Sequence, residues 1–457
     1  MQPDFHRDLM NRSLPREHGF ERLRVEGTLP RDLSGTLYRN GPGVFELFGQ
    51  RYGHPFDGDA VISALRLRDG QAWGAAKIVE SEGLRRERAA GRILYGTAAP
   101  WWRRMLTTHI GPEKVTPNTS VMGWGGQLLA LNEGGPPVAL DPHDLSTLGV
   151  TNLGGVLRSA FSAHPHRIGS QRITYNIGLD YGATTHMHIY ALPDAGAARH
   201  LGAIPFDEPP LVHDFAATEK HLIFFVSPAR LRLSRHLWQV GHFGELFGWQ
   251  PEKGTEIIVV PLAEPDRPVR FRVEPFFQWH FANAFERGGE LVIDYVRFDD
   301  LSPLAAVSSP RPSDVFLDAR CHRAVIDPAR RTFRSQPLGD FGCEFPRVHP
   351  ELEGRELDAL WLTRGDLRSL IRLDPNSGHY VEHALPRGHY AAEPVFAPRH
   401  GATSELDGYM LCMIHDEASD CGHVAIYDAA SFQNGPIARA WFDHYLTCTF
   451  HGTWLAS

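Results

Sequence analysis

Four histidines occupy similar surroundings, each beside an apolar stretch or a turn signal. They are His164 in Phe-Ser-Ala-His-Pro-His, His213 in Val-His-Asp-Phe, His280 in Gln-Trp-His-Phe-Ala-Asn-Ala-Phe-Glu and His451 in Phe-His-Gly-Thr-Trp. A neutral imidazole offers a lone pair that suits first-row metals, and several converging in space make a metal site. Taken singly, a histidine is more often a hydrogen-bonded structural residue. Three glutamates raise the case for chemistry: Glu133 in Leu-Asn-Glu-Gly-Gly, Glu344 in Cys-Glu-Phe-Pro and Glu393 in Ala-Glu-Pro-Val. A carboxylate at a strand end can accept the second ring N–H of a ligand histidine, or else cap a turn. Four histidines could equally close a tetrahedral zinc site with no open position, or serve a protein that only binds.

Convergence needs elements that return to one place. Leu211 to Phe225 reads as two short strands and a tight turn, with His213 where the first strand ends. Short strands recur along the chain, and four share an exit into an aspartate turn at Asp141, Asp327, Asp374 and Asp428. The last two gaps are 47 and 54 residues (374−327, 428−374), and the first, 186 residues (327−141), is close to four such units. Periods of about 45–55 residues built from short strands describe propeller blades. Histidines one or a few blades apart at the same strand end would meet on the axis. The expected architecture is one all-β domain over residues 1–457, with an irregular lead-in at 1–34 and insertions near 97–118 and 228–250. Within the second insertion, apolar residues at 233, 237, 240, 243 and 247 follow a helical period. Either this helix caps the propeller, or its aromatics stand exposed at a tunnel mouth and touch a membrane surface.

Composition removes several function classes. The 457 residues are 42% hydrophobic and 22% charged, with a net charge of −8 and no basic block, which argues against nucleic acid. Five cysteines without a C-x-x-C pair suit a reducing, cytoplasmic setting. No signal-peptide pattern or membrane-spanning run is visible. The oligomeric state is unspecified.

The motifs together resemble the carotenoid cleavage oxygenase family. The matching pieces run in family order from residue 37 to residue 454: Leu-Tyr-Arg-Asn-Gly-Pro-Gly at 37–43, His-Pro-Phe-Asp-Gly-Asp at 54–59, Leu-Leu-Ala-Leu-Asn-Glu-Gly at 128–134, the four histidine motifs, Glu-Phe-Pro-Arg at 344–347 and Glu-Pro-Val-Phe at 393–396. Ala60 and Phe285 stand where glycine and tyrosine are frequent. The resemblance implies a seven-bladed β-propeller with a helical and loop dome over the metal face. It implies one non-haem Fe(II) per chain, held by His164, His213, His280 and His451. Glu133, Glu344 and Glu393 would hold the histidines other than His164, and Thr119 would narrow the open positions for O2. The implied activity is cleavage of an electron-rich, conjugated C=C bond with O2 as cosubstrate, giving two carbonyl products.

An apolar, aromatic tunnel follows from such a substrate, with Trp101, Trp102, Trp238, Phe243, Phe247, Phe277 and Trp279 as candidate linings. Within the family, the choice lies between a lipophilic carotenoid or apocarotenoid, taken up by peripheral membrane contact, and a phenolic stilbene. Stilbene-cleaving relatives pair a tyrosine with a lysine against the substrate hydroxyl. Matched by spacing, that pair falls at Gly83 and Lys114, so only the lysine is available. The expected reading is apocarotenoid cleavage. A retinoid isomerohydrolase on the same scaffold is a remoter alternative.

Overall fold

The computed structural model describes residues 12–111, 114–182, 184–232, 234–235, 238, 243–306, 316–402 and 404–457. Seven sheets of four or five strands are present among them, with two small hairpins beside them. In sequence order of their innermost strands, the blades start at Ser120–Trp124, His166–Ile168, Ala216–Ala217, Phe277–Arg287, Cys343–Arg347, His389–Pro398 and His451–Ala456. We number the blade that holds His451–Ala456 as blade 1 and the others 2 to 7 in that order. Inner strands touch from blade 3 round through blade 7 and blade 1 to blade 2, and blades 2 and 3 share an apolar cluster, so the blades ring a common axis.

The apolar runs have a specific cause. Leu222, Phe224 and Val226 pack into the cluster between blades 3 and 4, while Ile223 and Phe225 pack into the one between blades 4 and 5. Leu128 and Ala130 likewise face blade 1, and Leu129 and Leu131 face blade 3. A middle strand buries both faces, so its sequence is continuously apolar instead of alternating. Seven such interfaces make up the core.

The aspartate repeat marks one recurring joint. Asp141, Asp327, Asp374 and Asp428 each end or follow the third strand of blades 2, 5, 6 and 7. Each carboxylate accepts a backbone N–H two or three residues on, from His143, Arg330, Asn376 and Ser431. That local bond turns the chain into the fourth strand.

Two expectations about the edges of the domain change. The lead-in is not irregular: His18–Arg22 adds to the outer strand Gln71–Ile78 of blade 1, and Arg24–Gly27 adds to Ala438–Trp441 of blade 7. Both are short, mostly exposed edge strands, so they lack the apolar period that reveals a strand. The C-terminal His451–Ala456 pairs with Gly35–Val44, so blade 1 joins both ends of the chain and closes the ring. The second insertion is helical at Ser234 and Arg235 but not as far as Phe247. Ala229–Leu231 pairs with Phe247–Trp249 as a hairpin, and Leu231 and Phe247 join one apolar cluster with Leu211 and with Phe277 of blade 5. Residues 233, 236, 237 and 239–242 lie outside the described set. The first insertion holds a helix, Trp101–His109. No helix among the described residues is long and apolar enough to cross a membrane.

Candidate metal centre

Each of the seven inner strands brings, in or just before it, a residue with chemistry to one end of the axis. Blade 2 brings Thr119, blade 3 His164, blade 4 His213, blade 5 His280, blade 6 Glu344 and blade 7 Glu393. Blade 1 completes the circle with His451, the first residue of its inner strand. One potential ligand atom from each of the four histidines lies within 4.8 Å of all the others. Ring centroids of His164 stand 4.3 Å from His213, 4.6 Å from His451 and 5.1 Å from His280.

Hydrogen bonds decide which ring nitrogens face inward. His280 donates from Nδ1 to Glu344 Oε2 at 2.6 Å, and His451 donates from Nδ1 to Glu393 Oε1 at 2.9 Å. His213 Nδ1 pairs with Glu133 Oε1. Donation from Nδ1 leaves a lone pair on Nε2. His213 Nε2 and His280 Nε2 then face each other at 3.3 Å, and His164 Nε2 is buried with no hydrogen-bond partner. Lone pairs so placed repel one another unless a cation or a proton lies between them. Four neutral nitrogens, three with a carboxylate behind them, are a donor set that fits a divalent first-row metal.

Electrostatics favour the neutral rings unequally. Burial, reinforced by His213, His451 and His280, holds His164 well below the usual histidine range. Burial also lowers His451 to about 4, outweighing Glu393. For His280, burial acts downward but Glu344 outweighs it, and the net shift is upward. Burial pushes Glu393 upward, yet Arg347, His451 and Arg39 together hold it below the ordinary carboxylate range. Arg39, fully buried, donates to Glu393 Oε2 at 2.6 Å and to the Phe450 carbonyl at 2.9 Å. Glu344 sits before Phe345, which has a left-handed backbone (φ 55°) and donates its N–H to Glu344 Oε2 at 2.6 Å.

Three cavities reach the histidines: one of about 570 Å³ comes from the side of His166, Asp214 and Arg347, and two others converge on His213. One, of about 140 Å³, is almost wholly apolar and runs past Phe56, Phe345, Phe450, Met413, Ile414 and Leu446. The other, of about 760 Å³, passes Phe247, Phe277 and Leu211 and also carries Glu133, Asp180 and Tyr181. Thr119, His213 and Trp279 line both. The Thr119 hydroxyl donates to Asn118 Oδ1 at 3.4 Å, and its carbonyl accepts the His451 N–H at 3.2 Å.

Of the expected tunnel residues, Phe247, Phe277 and Trp279 line the cavities at the centre. Trp101, Trp102 and Trp238 stand about half exposed (52%, 54% and 59%) on the outside. The Phe243 side chain lies outside the described residues. Lys114 is buried elsewhere, donating to Asp59 at 2.8 Å, Glu87 at 2.8 Å and Tyr52 at 2.9 Å. Gly83 lies against it: an added Cβ would come 2.4 Å from Lys114 Cγ. Spacing brought the two positions together correctly, but onto a buried ion cluster. Phe56, Phe345 and Phe450 were missed as lining residues. Each stands within or beside a quoted motif, two of them next to a glutamate or histidine of the centre, and that adjacency was the available signal.

A family profile described as retinal pigment epithelial membrane protein matches residues 11–456. The apocarotenoid-15,15'-oxygenase of Synechocystis sp. is 31% identical over 97% of this chain and 94% of its own length. Isoeugenol monooxygenase of Pseudomonas nitroreducens is 26% identical over 95% of this chain and 94% of its own. Resveratrol cleavage oxygenase 1 of Aspergillus fumigatus is 26% identical over 96% and 93%. The crystal structure of cobalt-substituted ACO from Synechocystis superposes with a TM-score of 0.91 at 29% identity, covering 99% of both chains.

Proposed function

This chain belongs to the retinal pigment epithelial membrane protein family, that of the carotenoid oxygenases, and from that premise we propose that it is an Fe(II)-dependent dioxygenase that cleaves a conjugated C=C bond of an apocarotenoid. One O2 is consumed, and its two atoms leave in the two carbonyl products, so no external reductant is needed. The observation that carries this reading is the circle of four lone-pair-bearing histidines opening directly on an apolar cavity.

His164, His213, His280 and His451 would hold the iron, with Glu133, Glu344 and Glu393 fixing three of the rings. When bound, ferrous iron supplies the redox centre at which O2 and the electron-rich alkene react. The protein's share is positioning and exclusion of water. Phe56, Phe345, Phe450 and Trp279 grip a flat polyene beside the histidines and leave little room for solvent. Thr119, wedged between Asn118 and His451, narrows the approach on the side of blade 2. No general base is required, and each glutamate of the centre already carries a ring N–H.

The substrate assignment rests on two further points. The relative at 31% identity is named for apocarotenoid cleavage, whereas the isoeugenol and resveratrol enzymes stand at 26%. Lys114, the one available member of a phenol-binding pair, is engaged by Asp59 and Glu87. The exposed aromatics beside the dome support uptake from a membrane surface. The test is a comparison of kcat/KM for a β-apocarotenal and for resveratrol on the iron-loaded protein. A preference for the apocarotenal of at least about tenfold, equivalent to 1.4 kcal/mol of transition-state binding, supports the reading. A reversed preference assigns the chain to phenolic substrates.

A further inference from the structure

A fourth carboxylate lies behind the histidines. Asp214, next to His213 in the chain, is 2% exposed. Its Oδ1 accepts the Phe215 N–H at 2.7 Å and the His166 Nε2–H at 2.8 Å. Its Oδ2 accepts the Phe281 N–H at 2.7 Å. The donors stand two residues from His213 and His164 and one from His280. A single side chain therefore ties together the inner segments of blades 3, 4 and 5, immediately behind three of the four histidines. His164 has none of the three glutamates. Its Nδ1 is 4.0 Å from Asp214 Oδ1, beyond hydrogen-bond range.

We propose that Asp214 is a positioning residue for the metal centre, fixing the mutual placement of His164, His213 and His280 through the backbone of three blades. For His164 it takes, at one remove, the part that a glutamate takes for each other histidine. His166 is the intermediary, held on its far side by Glu353. Blade 4 is already held by apolar clusters on both faces and by side-chain bonds away from the centre, such as Thr218 to Glu286 at 2.9 Å and Gln278 to the Phe225 carbonyl at 3.2 Å, so the bonds of Asp214 serve the relative position of the ligands more than the fold. This inference rests on the metal reading above.

The geometry makes asparagine a sharp probe. Oδ1 and Oδ2 both accept, so an amide in place of either oxygen sets N–H against N–H. Asp214→Asn must release either Phe281 or the His166 and Phe215 pair. Cobalt(II), titrated into the metal-free full chain, reads the result independently of turnover, since its visible absorption reports ligand geometry. Wild type is run alongside; if it binds no cobalt, the metal reading itself fails. For Asp214→Asn we expect a chain that still folds without metal, with a modestly lowered melting temperature from the released N–H groups, a cobalt Kd raised about 10- to 100-fold and an altered absorption band. His166→Ala, which removes only the arm toward His164, is expected to shift the band with a smaller loss of affinity. Wild-type affinity and spectrum in either folded variant would overturn the proposal. So would failure of both variants to fold without metal, since Asp214 would then act on the core at large.

Discussion

The three glutamates behind the histidines are chemically unequal. Glu133 is partly open to solvent, with its side chain 27% exposed. Glu344 is fully buried, and its Oε1 has no partner. Glu393 is buried and neutralised by Arg39. Substitution should expose the difference. His213→Ala removes a lone pair from the centre and is expected to leave substoichiometric iron by elemental analysis, with the propeller's circular dichroism retained. Glu393→Gln keeps the shape but strips Arg39 of its charge partner. A drop of about 10- to 100-fold in iron affinity is expected for the lost support of His451. A loss of stability of about 3–5 kcal/mol is expected as well, from an unpaired buried guanidinium. The corresponding Glu133→Gln should weaken iron binding while costing little in a chemical-denaturation midpoint, because water reaches that carboxylate.

Among the elements, the helix Trp101–His109 stands apart. Trp102 and Leu106, one turn apart, are both about half exposed, and Ile110 beyond the helix end is 82% exposed. Trp101 Nε1 donates to the Trp238 carbonyl at 2.8 Å, so the two insertions present their aromatics as one patch. Apolar groups clustered on one exposed surface suit contact with lipid. Replacing Trp102 and Leu106 together by glutamate should reduce co-sedimentation with phosphatidylcholine vesicles several-fold, with turnover of detergent-dispersed substrate unchanged. Equal sedimentation of wild type and variant would remove the membrane role. The same elements show where sequence reading stops. The 3.6-residue period at 233–247 promised a helix; Ser234 and Arg235 are helical, with the Trp238 N–H on the Ser234 carbonyl at 3.0 Å, but at the far end Phe247 pairs with Leu231 in a hairpin. Burial against Leu211 and Phe277 overrides a local pattern. Trp101 and Trp238 were legible as special residues, but exposure stayed one of two readings, since a sequence does not state which face is covered.

For the molecule as a whole, what repeats was legible and what meets was only partly so. The aspartate turns revealed the blade period because each is a local bond, repeated at the same joint. The four histidine motifs were recognisable because each ends beside an inner strand. Asp214 escaped notice because its partners, His166 and Phe281, come from other blades; Arg39 escaped because its partner Glu393 is 354 residues away. The N-terminal edge strands were invisible for want of a buried face.

Stability at the whole-molecule scale also has a pH signature. His423, buried and stacked on Trp441 at 4.2 Å, is pushed down to about 3, first by burial and then by His389 and Arg439. The unfolded chain takes up this proton below about pH 6.5, whereas the folded chain resists until about 3. The group therefore adds nothing to the pH dependence above 6.5, and stability falls as pH drops from 6.5 toward 3, by up to about 1.4 kcal/mol per unit. His423→Phe keeps a ring against Trp441 and should flatten the decline of denaturation free energy with acid. An identical slope in the variant would mean the ring titrates normally in the fold.

The most direct test of the central claim follows oxygen. Iron-loaded protein is given a β-apocarotenal under 18O2, and the products are read by mass spectrometry before carbonyl exchange with water. One 18O in each of two carbonyl fragments, in proportion to bound iron, is the predicted result. Cleavage with label in only one fragment, or products formed without O2 by an iron-bearing protein, would contradict a dioxygenase.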